Sequence, residues 1–298
     1  MKKIICAFLT AIITLMALTS CGDREKEYTL GIGGSAEAKT ANVTLSETVA
    51  AVVLDKDGRI VLCRVDSVDA KATYLDGAIE KKSYKSKAEL GDDYGMLSPG
   101  GSDLAEWDDQ ARFFEDYVVG KTIDEVKGIK SGEGELASGC TIDVSPFIKA
   151  IDAAVSSEHK TVFKAKGEIT LGVAIDCSVS DKGGSAAYTA NMSASVINDG
   201  KIAAALIDSR ESTITAEDGV GVEYKPSKTK LELGDEYNMV EYGGASAEWH
   251  VQARTYAESA VGKTKSELSG LATEGVAGCT IEVEDYKKVL ILASERAR

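Results

Sequence analysis

Residues 55–67 read DKDGRIVLCRVDS, and residues 197–209 read INDGKIAAALIDS. Gly58 falls opposite Gly200, and Asp66-Ser67 opposite Asp208-Ser209, at a spacing of 142. The correspondence extends in both directions. TLGIG (29–33) answers to TLGVA (170–174), ELGDDYGM (89–96) to ELGDEYNM (232–239), EWDDQAR (106–112) to EWHVQAR (248–254), VGKTIDE (119–125) to VGKTKSE (261–267), and GCTIDV (139–144) to GCTIEV (278–283). This period is far above the roughly 20–50 residues of solenoid repeats, so it predicts two tandem modules. They span 28–157 and 168–298, joined by a polar linker at 158–167. At about 130 residues each, both are long enough to bury a core of their own, so 24–158 and 166–298 are expected to fold separately.

Within a module the pattern is α+β: a mostly antiparallel sheet with packed helices. Apolar runs such as NVTLSETVAAVVLD (42–55) and RIVLCRVDS (59–67) read as strands, and Asp-Gly at 57–58 and 199–200 marks hairpin turns. ELGDDYGM reads as a loop or short edge strand. Asp103 and Glu106 form a helix start, after which Trp107, Gln110, Ala111 and Phe114 share one helical face. Thr122 with Glu125, and Thr264 with Glu267, are capping boxes. Ser145-Pro146 is an N-cap and N1 pair for a closing helix.

Residues 1–20 read MKKIICAFLTAIITLMALTS, two lysines followed by an apolar run. The run is too short for a stable membrane span and fits an export signal. It ends Leu18-Thr19-Ser20-Cys21, which resembles the lipobox of bacterial lipoproteins. That resemblance implies an acylated Cys21 as the first mature residue, a charged tether over 21–27, and an extracytoplasmic body anchored to the cell membrane. Removing Lys2 and Lys3 takes the net charge from −14 to −16. So acidic a body argues against nucleic acid and anionic headgroups as partners.

Each module carries a Gly-Cys-Thr: ELASGCT (135–141) and EGVAGCT (274–280). With the preceding strand, L-G-[DE]-x-Y segment and helix, this order resembles the FMN-binding domain of membrane electron-transfer proteins. In that family FMN is joined by a phosphoester to the last Thr of D-x-x-[ST]-G-A-T, and a flavin transferase makes the bond. The resemblance implies that Ser138, Gly139, Cys140 and Thr141, and Gly278, Cys279 and Thr280, surround the cofactor, with Thr141 and Thr280 as acceptors. It also implies a membrane quinone oxidoreductase and an extracellular acceptor as partners. Glu135 and Glu274 replace the Asp, both Cys replace the Ala, and Ala277 stands where Ser or Thr is usual. Asp143, Glu282, Glu284 and Asp285 oppose a phosphate. The alternative is a tight structural turn holding a buried small Cys.

Other groups are read more simply. Tyr94, Trp107, Tyr237 and Trp249 are either core or a stacking surface for a flavin ring. Gln110 and Gln252 fall on apolar helix faces and need partners, in backbone or ligand. His159 and His250 stand apart in sequence. Cys63 has Ala205 as its counterpart and Cys177 falls near the start of its module, so the pairs Cys63 and Cys140, and Cys177 and Cys279, are not equivalent and read as buried thiols. Two functions follow: a surface-anchored flavoprotein electron carrier without substrate chemistry of its own, or a non-enzymatic surface binding or scaffold lipoprotein that has lost flavin. The anchor has its own test. Cys21→Ser is expected to release the protein from membranes or block its processing, read by detergent-phase partitioning; unchanged partitioning rules the lipoprotein out.

Overall fold

A computed structural model describes residues 24–75, 77–97, 104–217 and 220–298; Cys21 and Asp103 lie outside them. The strands are β1 (Lys26–Lys39), β2 (Thr44–Leu54), β3 (Ile60–Lys71), a small hairpin of β4 (Tyr74–Leu75) and β5 (Ala78–Ile79), β6 (Lys82–Tyr84), β7 (Thr161–Ala165), β8 (Ile169–Lys182), β9 (Ser185–Asn198), β10 (Lys201–Glu217) and β11 (Val220–Tyr224). The helices are α1 (Lys87–Leu90), α2 (Trp107–Tyr117), α3 (Ile123–Lys127), α4 (Ser145–Ser156), α5 (Lys230–Leu233), α6 (Met239–Gly243), α7 (Trp249–Glu258) and α8 (Glu284–Glu295). The fold is α+β.

Strand β2 shows why the layers stack as they do. Side chains alternate across a strand, and here both sets are apolar. Ala50, Val52 and Leu54 pack with α2 and α4. Val49, Ala51 and Val53 belong to a second core that includes Leu171, Met192 and Leu206 of the other half. A sheet covered on both faces loses the polar alternation of a one-sided antiparallel sheet, which accounts for the unbroken run VAAVVL.

Two antiparallel sheets result, ordered β3-β2-β1-β7 and β11-β10-β9-β8-β6. Helices α2 and α4 pack on the first sheet, and α7 and α8 on the second. The inner faces meet, β3 against β8 and β1 against β10. The layers run helix, sheet, sheet, helix.

Strand pairs and ion pairs cross between the halves. Residues 161–165, inside the expected linker, form β7 and pair with β1, Tyr28 opposite Phe163. Strand β6 of the first half pairs with β8 of the second, Tyr84 opposite Cys177. Ion pairs also cross: Arg210 to Glu47 at 3.1 Å, Arg296 to Asp66 at 2.7 Å and Arg298 to Glu115 at 2.6 Å. Tyr188 donates to the Val43 carbonyl at 2.5 Å.

ELGDDYGM and its copy are not loops or edge strands. They form α1 and α5, each followed by a 3-10 turn. The signal lies three residues upstream of the Glu: Ser86 with Glu89, and Thr229 with Glu232, are reciprocal capping boxes. Ahead of α4, the Asp143 carboxylate accepts from the Ser145 N–H (3.0 Å) and hydroxyl (2.7 Å), a role read from sequence as belonging to Ser145.

The repeated Thr-Leu-Gly has a packing cause. A Cβ on Gly31 would lie 2.4 Å from the Ala154 oxygen of α4, and one on Gly172 1.9 Å from the Ala293 oxygen of α8. Glycine therefore lets each closing helix lie directly on its strand. At the β9–β10 hairpin, Asp199 and Gly200 both have positive φ (50° and 73°), the conformation of a two-residue type I′ turn.

Separating the halves would expose the inner faces of both sheets. Fragments 24–158 and 166–298 are expected to show no cooperative melting alone and one shared transition when mixed. Independent sharp transitions for each fragment would show that the common core is dispensable.

Candidate functional site

The two Gly-Cys-Thr turns are held by one device, used twice. Gln110 of α2 is buried; its Nε2 donates to the Ala105 carbonyl at 2.8 Å. Its Oε1 accepts from the Thr141 N–H at 2.9 Å and from the Thr141 hydroxyl at 3.2 Å. Gln252 of α7 repeats this, donating to Ala247 at 2.7 Å and accepting from the Thr280 N–H (2.6 Å) and hydroxyl (3.1 Å). Each buried amide thereby spends its polar atoms on backbone and on the threonine that the sequence offers as flavin acceptor.

The neighbouring site residues have local tasks. Ser138 ends a 3-10 turn, and its hydroxyl donates to the Glu135 carbonyl at 2.8 Å. Gly139 is required by close approach: a Cβ would sit 2.1 Å from the Phe113 ring. Gly278 is required by conformation, with φ of 77°. The two glycines match in sequence but not in cause. Cys140 and Cys279 are buried, and burial pushes the Cys140 thiol up to about 11 and raises Cys279. Cys63 and Cys177 are buried thiols too, raised by burial. Thr141 and Thr280 are exposed.

Over the Tyr and Trp of each half lies a lysine that sequence reading passed over. Lys87 Nζ pairs with Asp69 at 3.0 Å and lies 5.0 Å and 5.7 Å from the ring centroids of Tyr94 and Trp107. Lys230 Nζ pairs with Glu211 at 2.7 Å and lies 5.0 Å and 5.5 Å from Tyr237 and Trp249. These are cation–π distances. Burial opposes the Lys230 ammonium, but Tyr286 and Glu211 outweigh it and raise its pKa. The repeated Asp explains the placement. Asp66 accepts from the Ala88 N–H at 3.1 Å and Asp208 from the Leu231 N–H at 3.0 Å, which anchors α1 and α5 beside the sheet. Burial pushes Asp208 up to about 6, against hydrogen bonds from Thr229, Leu231 and Ser209.

In the second half this arrangement borders a cleft of about 350 Å³ whose lining includes Ile281, the residue after Thr280. Lys230, Tyr237, Met239, Trp249, Ile281 and Tyr286 line it, with Glu211, Glu282 and Asp285 as acids. Trp107 and Trp249 are core residues, stacked edge-on against Phe147 and Tyr286.

The histidines, far apart in sequence, meet in space. The His159 and His250 rings are 4.4 Å apart by centroid, and His250 Nε2 is 3.8 Å from Asp235. Burial and then His250 lower the His159 pKa. Among the described residues, no group of three or more His, Cys, Asp or Glu is placed to hold a metal ion.

No family model and no solved structure matches the chain. A stretch of 98 residues is 32% identical to a chlorophenol reductase of Desulfitobacterium hafniense, covering 28% of this chain and 30% of that protein. The chain thus spans less than a third of that relative's length. Among the described residues, no helix is long and apolar enough to cross a membrane.

The clamp has a measurable weight. Gln110→Leu and Gln252→Leu each leave a threonine N–H without its acceptor and are expected to cost about 1–3 kcal/mol in urea unfolding. Thr141→Val keeps the N–H bond and is expected to cost less than Gln110→Leu.

Proposed function

We propose that the protein is a lipid-anchored, extracytoplasmic binding protein without substrate chemistry of its own. The observation that carries this reading is the engagement of Thr141 and Thr280 by buried glutamines. A phosphoester on either oxygen would remove the proton donated to the Gln carbonyl and set two acceptors against each other. The surroundings also oppose a phosphate. Helix α4 begins on the Asp143 carboxylate, and α8 carries Glu284 and Asp285 in its first turn. An anion at a helix start is favoured by free N–H groups, but here a carboxylate of the chain holds that place in α4. The residues at Thr141 therefore do not fit a flavin phosphate. The cleft beside Thr280, aromatic-walled and acid-rimmed, suits a neutral or cationic planar ligand better than a phosphorylated one.

That cleft also favours a second reading, the surface flavin carrier. FMN, if present, would supply the electron chemistry. Tyr237, Trp249, Tyr286 and Lys230 would flank it, and Thr280 rather than Thr141 would be its acceptor. A flavin transferase and a membrane quinone oxidoreductase would then be partners.

Co-expression with a flavin transferase separates the two. Under the binding reading, intact mass shows no addition at Thr141 or Thr280, and riboflavin quenches Trp249 fluorescence at least as well as FMN in a Trp107→Phe background. A covalent flavin lost in Thr280→Ala would establish the carrier instead.

A further inference from the structure

The chain has eight arginines, and four of them line one pocket between the halves. Arg64 of β3 and Arg112 of α2 come from the first half. Arg296 and Arg298, just beyond α8, come from the second. The pocket measures about 210 Å³ and also presents Asp66, Asp108 and Glu115. Each carboxylate is already engaged: Asp66 by Arg296 at 2.7 Å, Asp108 by Arg112 at 2.9 Å, and Glu115 by Arg298 at 2.6 Å. Arg64 adds a fourth cation. It reaches Glu115 only at 3.4 Å and spends its other contacts on the main-chain oxygens of Cys63 and Arg298, at 2.6 Å and 2.5 Å. It is 9% exposed, and its Nε is buried without a partner. Arg112 also pairs with Asp109 at 3.5 Å and Arg296 with Glu89 at 3.8 Å. The pocket therefore gathers four paired guanidiniums and one unused buried donor, the Arg64 Nε.

A buried N–H without an acceptor costs free energy that a ligand oxygen can recover. Guanidinium groups present flat donor pairs that match the edges of tetrahedral oxyanions. The volume is that of roughly seven waters, enough for one small anion and below the range of larger organic ligands. The crowding of cations acts in the same direction: burial lowers the Arg298 pKa, and Arg64 and Arg112 lower it further while Glu115 raises it.

We propose that this interlobe pocket binds a small tetrahedral oxyanion of the phosphate or sulfate class, held by Arg64, Arg112, Arg296 and Arg298. The assignment is independent of whether flavin occupies the cleft near Thr280. Because the donors come from both halves, the anion bridges them and stabilises the docked body by mass action.

The test uses the full chain. Calorimetric titration with sulfate or phosphate at fixed ionic strength is expected to saturate, and either ion is expected to raise Tm above that in chloride. Arg112 is half-exposed on the pocket rim, so Arg112→Gln leaves the core intact. It is expected to weaken binding about tenfold, the equivalent of one charge-assisted contact. Arg254→Gln, at the corresponding position of α7, is expected to change nothing. Phosphatidylglycerol vesicles distinguish the source. Capture by vesicles that free phosphate suppresses assigns the pocket to a lipid headgroup, and saturation by the free ion without capture assigns it to a soluble anion. The proposal is overturned if chloride and sulfate act alike and vesicles are not captured, or if the two arginine variants weaken binding equally.

Discussion

Each sheet carries helices on one face only, and the other face of each is lined with Val, Ile, Leu and Ala. Water cannot cover that much apolar surface cheaply; fully burying one such side chain contributes about 1.5–3 kcal/mol. The inner faces must therefore meet, and the rest of the architecture follows. Strands β6 and β7 extend the partner edges. Arg210 and Glu47 are trapped together, at 6% and 0% side-chain exposure. Gly34 lies over the pair, where a Cβ would come within 2.9 Å of Glu47 and 3.2 Å of Arg210. Burial pushes Glu47 up to about 7 despite Arg210, which shows how strongly this interior resists charge. A buried pair of this kind adds little net stability, yet breaking one partner leaves an uncompensated charge. Its effect here is to penalise any other register of the two sheets.

Repeated and unrepeated residues divide the work. Those shared by the two halves mostly build each half: the glycines under the closing helices, the capping boxes, the Gln and Thr clamps, and the lysines over paired aromatics. Glu106 and Glu248 belong with them. Each carboxylate accepts two backbone N–H groups, from Met96 and Leu97 and from Met239 and Val240. Residues that join the halves have no counterpart. At the repeat spacing, Glu47 falls opposite Thr189, Arg210 opposite Val68 and Arg64 opposite Leu206. Asp66 serves both sets, since it caps α1 and also receives Arg296.

This division explains what could be read from the sequence. Strand runs, Asp-Gly turns and the Thr122 and Thr264 capping boxes are local, and period and spacing reveal them. Docking of the halves is not local. The apolar run in β2 signals burial on both faces, but nothing in the run says that the second cover is another sheet. The short helices α1 and α5 are hard to read because Gly91 and Gly234 follow after only four residues, too few to show a helical period. The His159 and His250 pair and the four-arginine pocket assemble residues that lie far apart in the chain, and nothing in the local sequence links them. For the candidate site, sequence located both turns and both glutamines. It did not reveal that the threonine is the glutamine's partner, because that contact depends on how the helix packs against the turn.

The same logic bears on ligand chemistry. A duplicated fold keeps its supports in both copies, while surfaces that no support constrains are free to diverge. Phe147 stands where the second half has Tyr286, each edge-on to its Trp, so only the second site gains a phenol beside Lys230. Asp69 is replaced by the longer Glu211, and Asp143 by Glu282, which lines the cleft instead of capping the helix. Gly139 and Gly278 keep their identity for different reasons. Matching motifs therefore do not mean matching ligands. The threonine of Gly-Cys-Thr has the same structural task in both halves, the glutamine clamp, while the side chains around it differ.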